Sequence, residues 1–431
     1  MHSYSIVRTN PVRTLFLCAV PVRAEDETMP STSSHRTEAG RKARQLRRKR
    51  GIVIASVAAA LLAASAGAVL VVRQLGPGAT TPAAPAPVAE ATAGIETTYA
   101  AVATVPPEPS GPATITIAAV GDMHFDRQVR VLINKSGSAA PLAEVAPQLA
   151  AADIAVGNLE STLSDLGERR TDKDYTFKGD PRGVEALASA GIDFVSLANN
   201  HALDCGTDAL LDTIARLDAS GIGHSGAGAD KPAAWAPAVR DVNGATVAYL
   251  AFSHILPNGF IATSSKAGIA QGRMNMDEVE AAIRNADATY DYVLVSFHWG
   301  IENVDDCNAE QVADAHRAID AGADMVLAHH PHVIQAVEYY NGKLIAYSLG
   351  DFAAWHTFGT SGTLGLSGLL TVVIDEDGRV RGGRWLSLRL NADGVPEVDS
   401  SHAAAHLVRR LSGEDFAKTF RMDAKGNLTV P

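Results

Sequence analysis

Asp122, His124, Glu160, Asn200, His201, His298, His330 and His332 are side chains of the kinds that hold divalent metals, and they arrive in short packets. The packets read Gly121-Asp122-Met123-His124, Gly157-Asn158-Leu159-Glu160, Asn199-Asn200-His201, His298-Trp299-Gly300 and His329-His330-Pro331-His332. Carboxylate, amide oxygen and imidazole together suit one or two ions of the Mn, Zn or Fe type. Singly, most packets admit two readings. Asp122 and His124 can share a metal or serve as a helix cap beside a solvated imidazole. Glu160 can bridge two ions or open a loop. His298 beside Trp299 suits a structural role as well as a ligand. Asn199-Asn200-His201 is more specific, because tandem amides after a buried run cost free energy unless they are paired. There Asn200 can ligate through oxygen, and His201 can pass a proton. The His-rich quartet around Pro331 favours a metal.

Apolar, β-branched runs lead into these packets, at 115–120, 154–156, 194–197, 293–297 and 325–328. Chemistry at the carboxyl ends of successive buried strands is how α/β enzymes assemble a site. Helical runs at 142–151, 183–190, 207–219, 276–286 and 308–321 alternate with those strands, and several close at a glycine, as at Gly191 and Gly322. The alternation predicts a largely parallel sheet. Shorter strands at 245–252, 336–340, 344–347, 369–374 and 384–390 predict a second, mixed or antiparallel sheet.

Before this α/β region the composition changes three times. Residues 1–50 form a basic head with eleven Lys/Arg against four Asp/Glu, so the remainder carries about −18 of the net charge of −11. Residues 51–72 are uninterruptedly apolar and long enough, at roughly 33 Å, to cross a bilayer, which predicts a transmembrane helix over 51–73. The basic run before it keeps the head cytoplasmic and sends the rest outside. An uncleaved anchor fits the length of this stretch better than a cleaved signal peptide. Residues 74–112 are an Ala/Pro/Thr-rich spacer. The folded domain is expected over 113–395, followed by a tail at 396–431 with a short helix at 402–411. An acidic folded part without an aromatic-basic patch argues against nucleic acid as a partner. Three cysteines exclude a dense disulfide framework, while Cys205 and Cys307 either pair with each other or stay free.

The packets, with Asp204, Gly206, 297–302, 321–324, 330–333 and 347–352, resemble the CapA-type poly-γ-glutamate capsule-biosynthesis family, itself similar to calcineurin-like metallophosphoesterases. That resemblance implies a four-layer α/β/β/α sandwich with a two-metal site. It assigns Asp122, His124 and His332 to one ion, and Asn200, His298 and His330 to the other. Glu160 would bridge, His201 would act as general acid, and Arg127 and Lys178 would bind substrate or lie as surface charge. It further implies a membrane-anchored, extracytoplasmic protein acting on an anionic surface polymer or its precursor, with polymer-synthase subunits as partners. A general surface phosphoesterase and a non-catalytic polymer-binding scaffold are the alternatives. Two departures stand out. Asn158 replaces an expected aspartate, and Ala202 follows His201 where an orienting acid is expected. Relatives often carry Met at His124 and Asn at Asp351.

Overall fold

A computed structural model describes residues 114–354, 359, 361–416 and 421–429. The basic head, the apolar stretch and the spacer lie outside the described residues. Among the described residues, no helix is long and apolar enough to cross a membrane.

The chain begins with β1 (Ile115–Met123), α1 (Arg127–Ser136), β2 (Ile154–Leu159), α2 (Gly183–Ala190), β3 (Phe194–Ser196) and α3 (Gly206–Ala219). It continues through β4 (Gly223–Ser225), β5 (Ala238–Val242), β6 (Ala245–Ser253), α4 (Met276–Asp287), β7 (Tyr292–His298) and α5 (Ala309–Ala321). Next come β8 (Met325–His329), β9 (Val337–Tyr340), β10 (Lys343–Ala346) and β11 (Asp351–Ala353). The closing elements are β12 (Leu366–Ile374), β13 (Val380–Leu390), β14 (Pro396–Val398), α6 (Ala403–Asp415) and β15 (Asn427–Leu428).

These elements make a mixed α/β fold around two large sheets. One has the order β14-β13-β12-β1-β2-β3-β4, with β11 beside β1 and β15 beside β13. The other has the order β9-β10-β8-β7-β6-β5. In the first, β1 to β4 run parallel while β12 joins β1 antiparallel. In the second, β6, β7, β8 and β10 are parallel, with antiparallel strands at both edges.

Alternation along β1 sets the layering, because successive side chains point to opposite faces. Ile115, Ile117 and Ala119 join the cluster that holds Val247, Tyr249 and Leu294, the face of the second sheet on which Tyr249 stacks with Phe194 of the first. Ala118 and Val120 pack instead with Val129, Ile133, Leu187 and Leu210 from the helices over the outer face. On the far side, Val279 and Ile283 of α4 and Ala315 and Ala318 of α5 cover the second sheet. The caps are local: Asn308 and Gln311 make a reciprocal capping box at the start of α5, and Gly322 ends it with φ 118°.

Several expectations are corrected. The strands do not divide into an early sheet and a late one. The run at 293–297 and the run at 325–328 join Ala245–Ser253 in one sheet, while the late strands at 366–374 and 380–390 extend the sheet of β1. Sheet membership follows which buried faces match, a non-local property that chain order does not carry. The expected helix at 142–151 is two short pieces, Ala140–Leu142 and Ala146–Ala150, each with a proline in its first turn. Helix α1, not anticipated, starts where the Asp126 carboxylate accepts from the backbone N–H of Arg127 at 2.7 Å. The described part of the tail, 396–416 and 421–429, packs onto the fold. Strand β14 pairs with β13, and α6 buries Ala404, Leu407, Val408 and Leu411. The hydroxyl of Ser412 accepts the N–H of Val337 at 2.8 Å on the edge strand β9. Cys205 and Cys307 are both free thiols, so no disulfide joins these two loops.

Candidate metal centre

Strand ends from both sheets converge on one buried cluster. Asp122 lies near the end of β1, His298 ends β7, and His330 and His332 follow β8. Close backbone approach fixes the first of these. Gly121 lies so near the carbonyl of Gly350 that a Cβ would overlap it, and the N–H of Asp122 donates to that carbonyl at 2.9 Å. His330 and His332 have φ of 98° and 56°, and Phe125, Arg127 and Asn303 are also left-handed. Such conformations are costly for non-glycine residues, and they cluster around working sites.

Two groups of buried side chains are close enough to hold ions: Glu160 with His298 and His330, and Asp122 with His332 and Asp351. A third, nearer the surface, joins exposed Glu302 to His330 and His332. Glu160 of the first group also approaches the second, with its Oε1 3.3 Å from His298 Nε2 and 3.9 Å from His332 Nε2. Neither oxygen of this buried carboxylate accepts a hydrogen bond. Burial, then the nearby charge of Asp122, pushes the Glu160 pKa well above the carboxylate range. An anionic group in that state is stable at neutral pH only beside a compensating cation. His298 Nδ1 and His330 Nδ1 are likewise buried without partners. Burial holds His298 well below its ordinary pKa and brings His330 down to about 3, so both are neutral, as ligand imidazoles must be. The donor set therefore fits a transition metal.

Around Asp122 the contacts are dense. Its Oδ1 accepts from Asn158 Nδ2 at 2.8 Å and lies 3.3 Å from His329 Nδ1. Burial raises its pKa, but His329, His332 and Asn158 outweigh that and leave it lowered. His332 Nδ1 meets Asp351 at 2.8 Å, leaving Nε2 turned toward Glu160. Burial depresses His332, yet Glu160 and Asp351 overcome it and raise its pKa to about 10. Asp351 itself is pushed up to about 6, chiefly by burial.

The expected residues thus divide. Asp122, Glu160, His298, His330 and His332 come together, and Asn200 Oδ1 joins them at 2.8 Å from His298 Nε2. Asp351 takes the place expected for His124 in the Asp122 group. His124 stands to one side, its ring stacked 4.5 Å from Phe177 and its Nε2 buried without a partner. Burial lowers its pKa to about 3. Asn158 does not present its oxygen to the centre. That oxygen accepts from Asn199 at 3.1 Å while its NH2 orients Asp122, so the amide serves as a neutral relay.

His201 does have an orienting acid, contrary to the reading from Ala202. Asp204 Oδ2 lies 2.6 Å from His201 Nδ1, and Lys173 Nζ binds the other Asp204 oxygen at 2.7 Å and the Asn200 carbonyl at 2.6 Å. The acid is three residues along, in the turn that leads into α3, rather than at the adjacent position. Burial lowers His201 to about 4, so the resting imidazole is neutral, with Nδ1 toward Asp204 and Nε2 free to exchange a proton. Lys173 carries no spacing signal in the mixed-charge run 168–174. Lys178 is committed: its Nζ donates to the carbonyls of Asp165 at 3.1 Å and Gly167 at 2.7 Å. Arg127 is exposed, its guanidinium 5.8 Å from the Phe177 ring.

The model of the bacterial capsule synthesis protein family PGA_cap matches residues 116–355, and the chain belongs to that family. It is 32% identical to the PGA biosynthesis protein CapA of Bacillus subtilis over 54% of this chain and 61% of that protein. It is also 32% identical to the capsule biosynthesis protein CapA of Bacillus anthracis, over 55% of this chain and 59% of that protein. A probable polyglutamine synthesis accessory protein of Mycobacterium tuberculosis is 37% identical over 47% of this chain and 55% of its own length. The matches therefore span little more than half the length of these relatives. Among solved structures, a 5'-nucleotidase precursor from Thermus thermophilus aligns at 14% identity with a TM-score of 0.41, over 72% of this chain and 61% of that one. A likeness of that degree carries no functional weight.

Proposed function

We propose that this protein is a membrane-anchored, extracytoplasmic component of the synthesis, export or anchoring of poly-γ-glutamate or a similar anionic surface polymer. It works through a metal-dependent, metallophosphoesterase-like hydrolase site. Family membership and the naming of the CapA relatives support the polymer, and the apolar stretch at 51–72 after a basic run supports the anchor. The observation that carries the chemistry is Glu160: a fully buried carboxylate with both oxygens unpartnered, flanked by His298 and His332.

One or two divalent ions held by Asp122, Glu160, Asn200, His298, His330 and His332, with Asp351 behind His332, would polarise a phosphoryl or carbonyl oxygen and lower the pKa of water. The protein's own residues do the rest. Asp204 and Lys173 fix the His201 ring, and His201 Nε2 accepts or returns the proton of the attacking or departing group. An entering anion favours its protonated form. Arg127 is the cation at hand to receive a carboxylate or phosphate of the polymer.

This fixed acid–imidazole pair favours an enzyme over a passive scaffold. The test is turnover of a phosphodiester and of a γ-glutamyl polymer by the purified protein, alongside polymer made by a deletion strain. Polymer loss restored by the wild type but not by His201→Ala is the expected result. Full restoration by His201→Ala sinks the catalytic reading. Robust phosphodiester turnover with unchanged polymer in the deletion strain points instead to a general surface phosphoesterase.

A further inference from the structure

A second cluster lies behind the candidate metal centre. His254 directly follows β6, and Glu310 and Asp314 are four residues apart on α5, so both carboxylates share one face of that helix. We propose that these three residues form a separate divalent-metal site, taking an ion of the zinc or manganese kind. One ligand atom from each lies within 4.8 Å of the others. Around an ion with bonds of about 2.1 Å, ligand atoms stand roughly 3–3.5 Å apart, so closure needs a movement of about an ångström.

Two independent observations point to a ligand. His254 is 5% exposed, and its Nε2 is buried without a hydrogen bond, directed toward Asp314 Oδ2 at 3.9 Å. A nitrogen so placed is costly unless something occupies it. Gly272 then keeps the space beside that nitrogen open: a Cβ there would stand 2.9 Å from His254 Cδ2 and 3.1 Å from Nε2. Gly272 is not among the left-handed glycines, so room rather than backbone freedom is what its missing side chain provides.

The surroundings suit a cation. The imidazole edge is walled by Phe297 and Trp299, with ring centroids 5.5 and 5.6 Å away. Glu310 pairs with Arg273 Nε at 3.1 Å, but both side chains are about half exposed, and such pairs are easily given up. One imidazole with two carboxylates favours zinc or manganese over calcium or magnesium. The backbone N–H of His254 donates to the carbonyl of His298 at 2.9 Å, so an ion here braces the strand end that carries His298 without touching the first centre.

The test strips the full-length chain of metal, then titrates it with Zn2+ by calorimetry and counts retained zinc by elemental analysis. Wild type is expected to bind one more ion per chain than Asp314→Asn, and Gly272→Ala is expected to weaken that ion at least about tenfold. Glu310→Gln alters an exposed side chain and keeps the comparison open if Asp314→Asn does not fold, as judged by circular dichroism. Folded Asp314→Asn or Glu310→Gln protein with the zinc stoichiometry and affinity of wild type overturns the proposal. So does a profile in which only Glu160→Gln changes the count.

Discussion

Glu160 and His201 are the residues on which the chemistry turns, and they fail differently when changed. Replacing Glu160 by Gln removes a buried carboxyl that burial and Asp122 push toward its protonated form, so the metal-free protein no longer bears the cost of that proton uptake at neutral pH and should melt a few degrees higher. The same substitution should weaken metal binding by about ten- to a hundredfold, and calorimetry with and without chelator reads both effects. His201→Ala should leave metal content intact yet lower turnover by roughly 10²–10⁴-fold. Asp204→Asn should shift the pH–rate profile in addition to lowering the rate, because Asp204 Oδ2 sets the tautomer of His201. At this scale the sequence was largely legible: residue types that tolerate burial only when paired, placed after apolar runs, marked Asp122, Asn200, His298, His330 and His332. Asp351 is legible only as a carboxylate near the site, and Lys173 not at all, because one lysine in the mixed-charge run 168–174 looks the same whether or not it faces a site. The spacing of His124 from Asp122 does not show that its ring stacks on Phe177, beside a left-handed Phe125.

Elements position these groups through close backbone contacts and non-local strand pairing. Gly121→Ala should cost about 1–3 kcal/mol by driving a methyl group into the Gly350 carbonyl, and should displace Asp122 along with it. Chemical denaturation of the purified variant, paired with a metal titration, measures both consequences. Helix α6 matters in another way. Its Leu407, Val408 and Leu411 are buried against the sheets, and burying each is worth about 1.5–3 kcal/mol. Removing residues 396–431 should therefore yield protein that does not fold, seen as loss of the cooperative thermal transition. Helix and strand existence could be read from periodicity, cap residues and terminal glycines. Which strands share a sheet could not, because Leu366–Ile374 reaches β1 across most of the chain and only matching faces decide that pairing.

Across the whole molecule, buried imidazoles make the metal-free protein acid-sensitive. Burial leaves His124 and His330 near pKa 3 and His201 and His254 near 4, all below the ordinary 6.5. The unfolded chain takes up these protons first, so this stability is complete above about pH 6.5 and drains away as pH falls toward 4. Asp351, raised to about 6, works in the opposite sense and offsets part of the loss. His332, raised to about 10, contributes fully below pH 6.5 and loses its contribution as pH climbs toward 10. Melting temperatures of chelator-treated protein should accordingly fall from pH 7 to pH 4 and also decline toward pH 10. The central claim, that the strand ends of both sheets meet to hold catalytic metal, is tested most directly by anomalous diffraction from crystals grown with Mn2+ or Zn2+. The account predicts anomalous density beside Glu160 within bonding distance of His298 and His330, lost in His298→Ala. Well-ordered crystals with no density there, or density unchanged in His298→Ala, would contradict it.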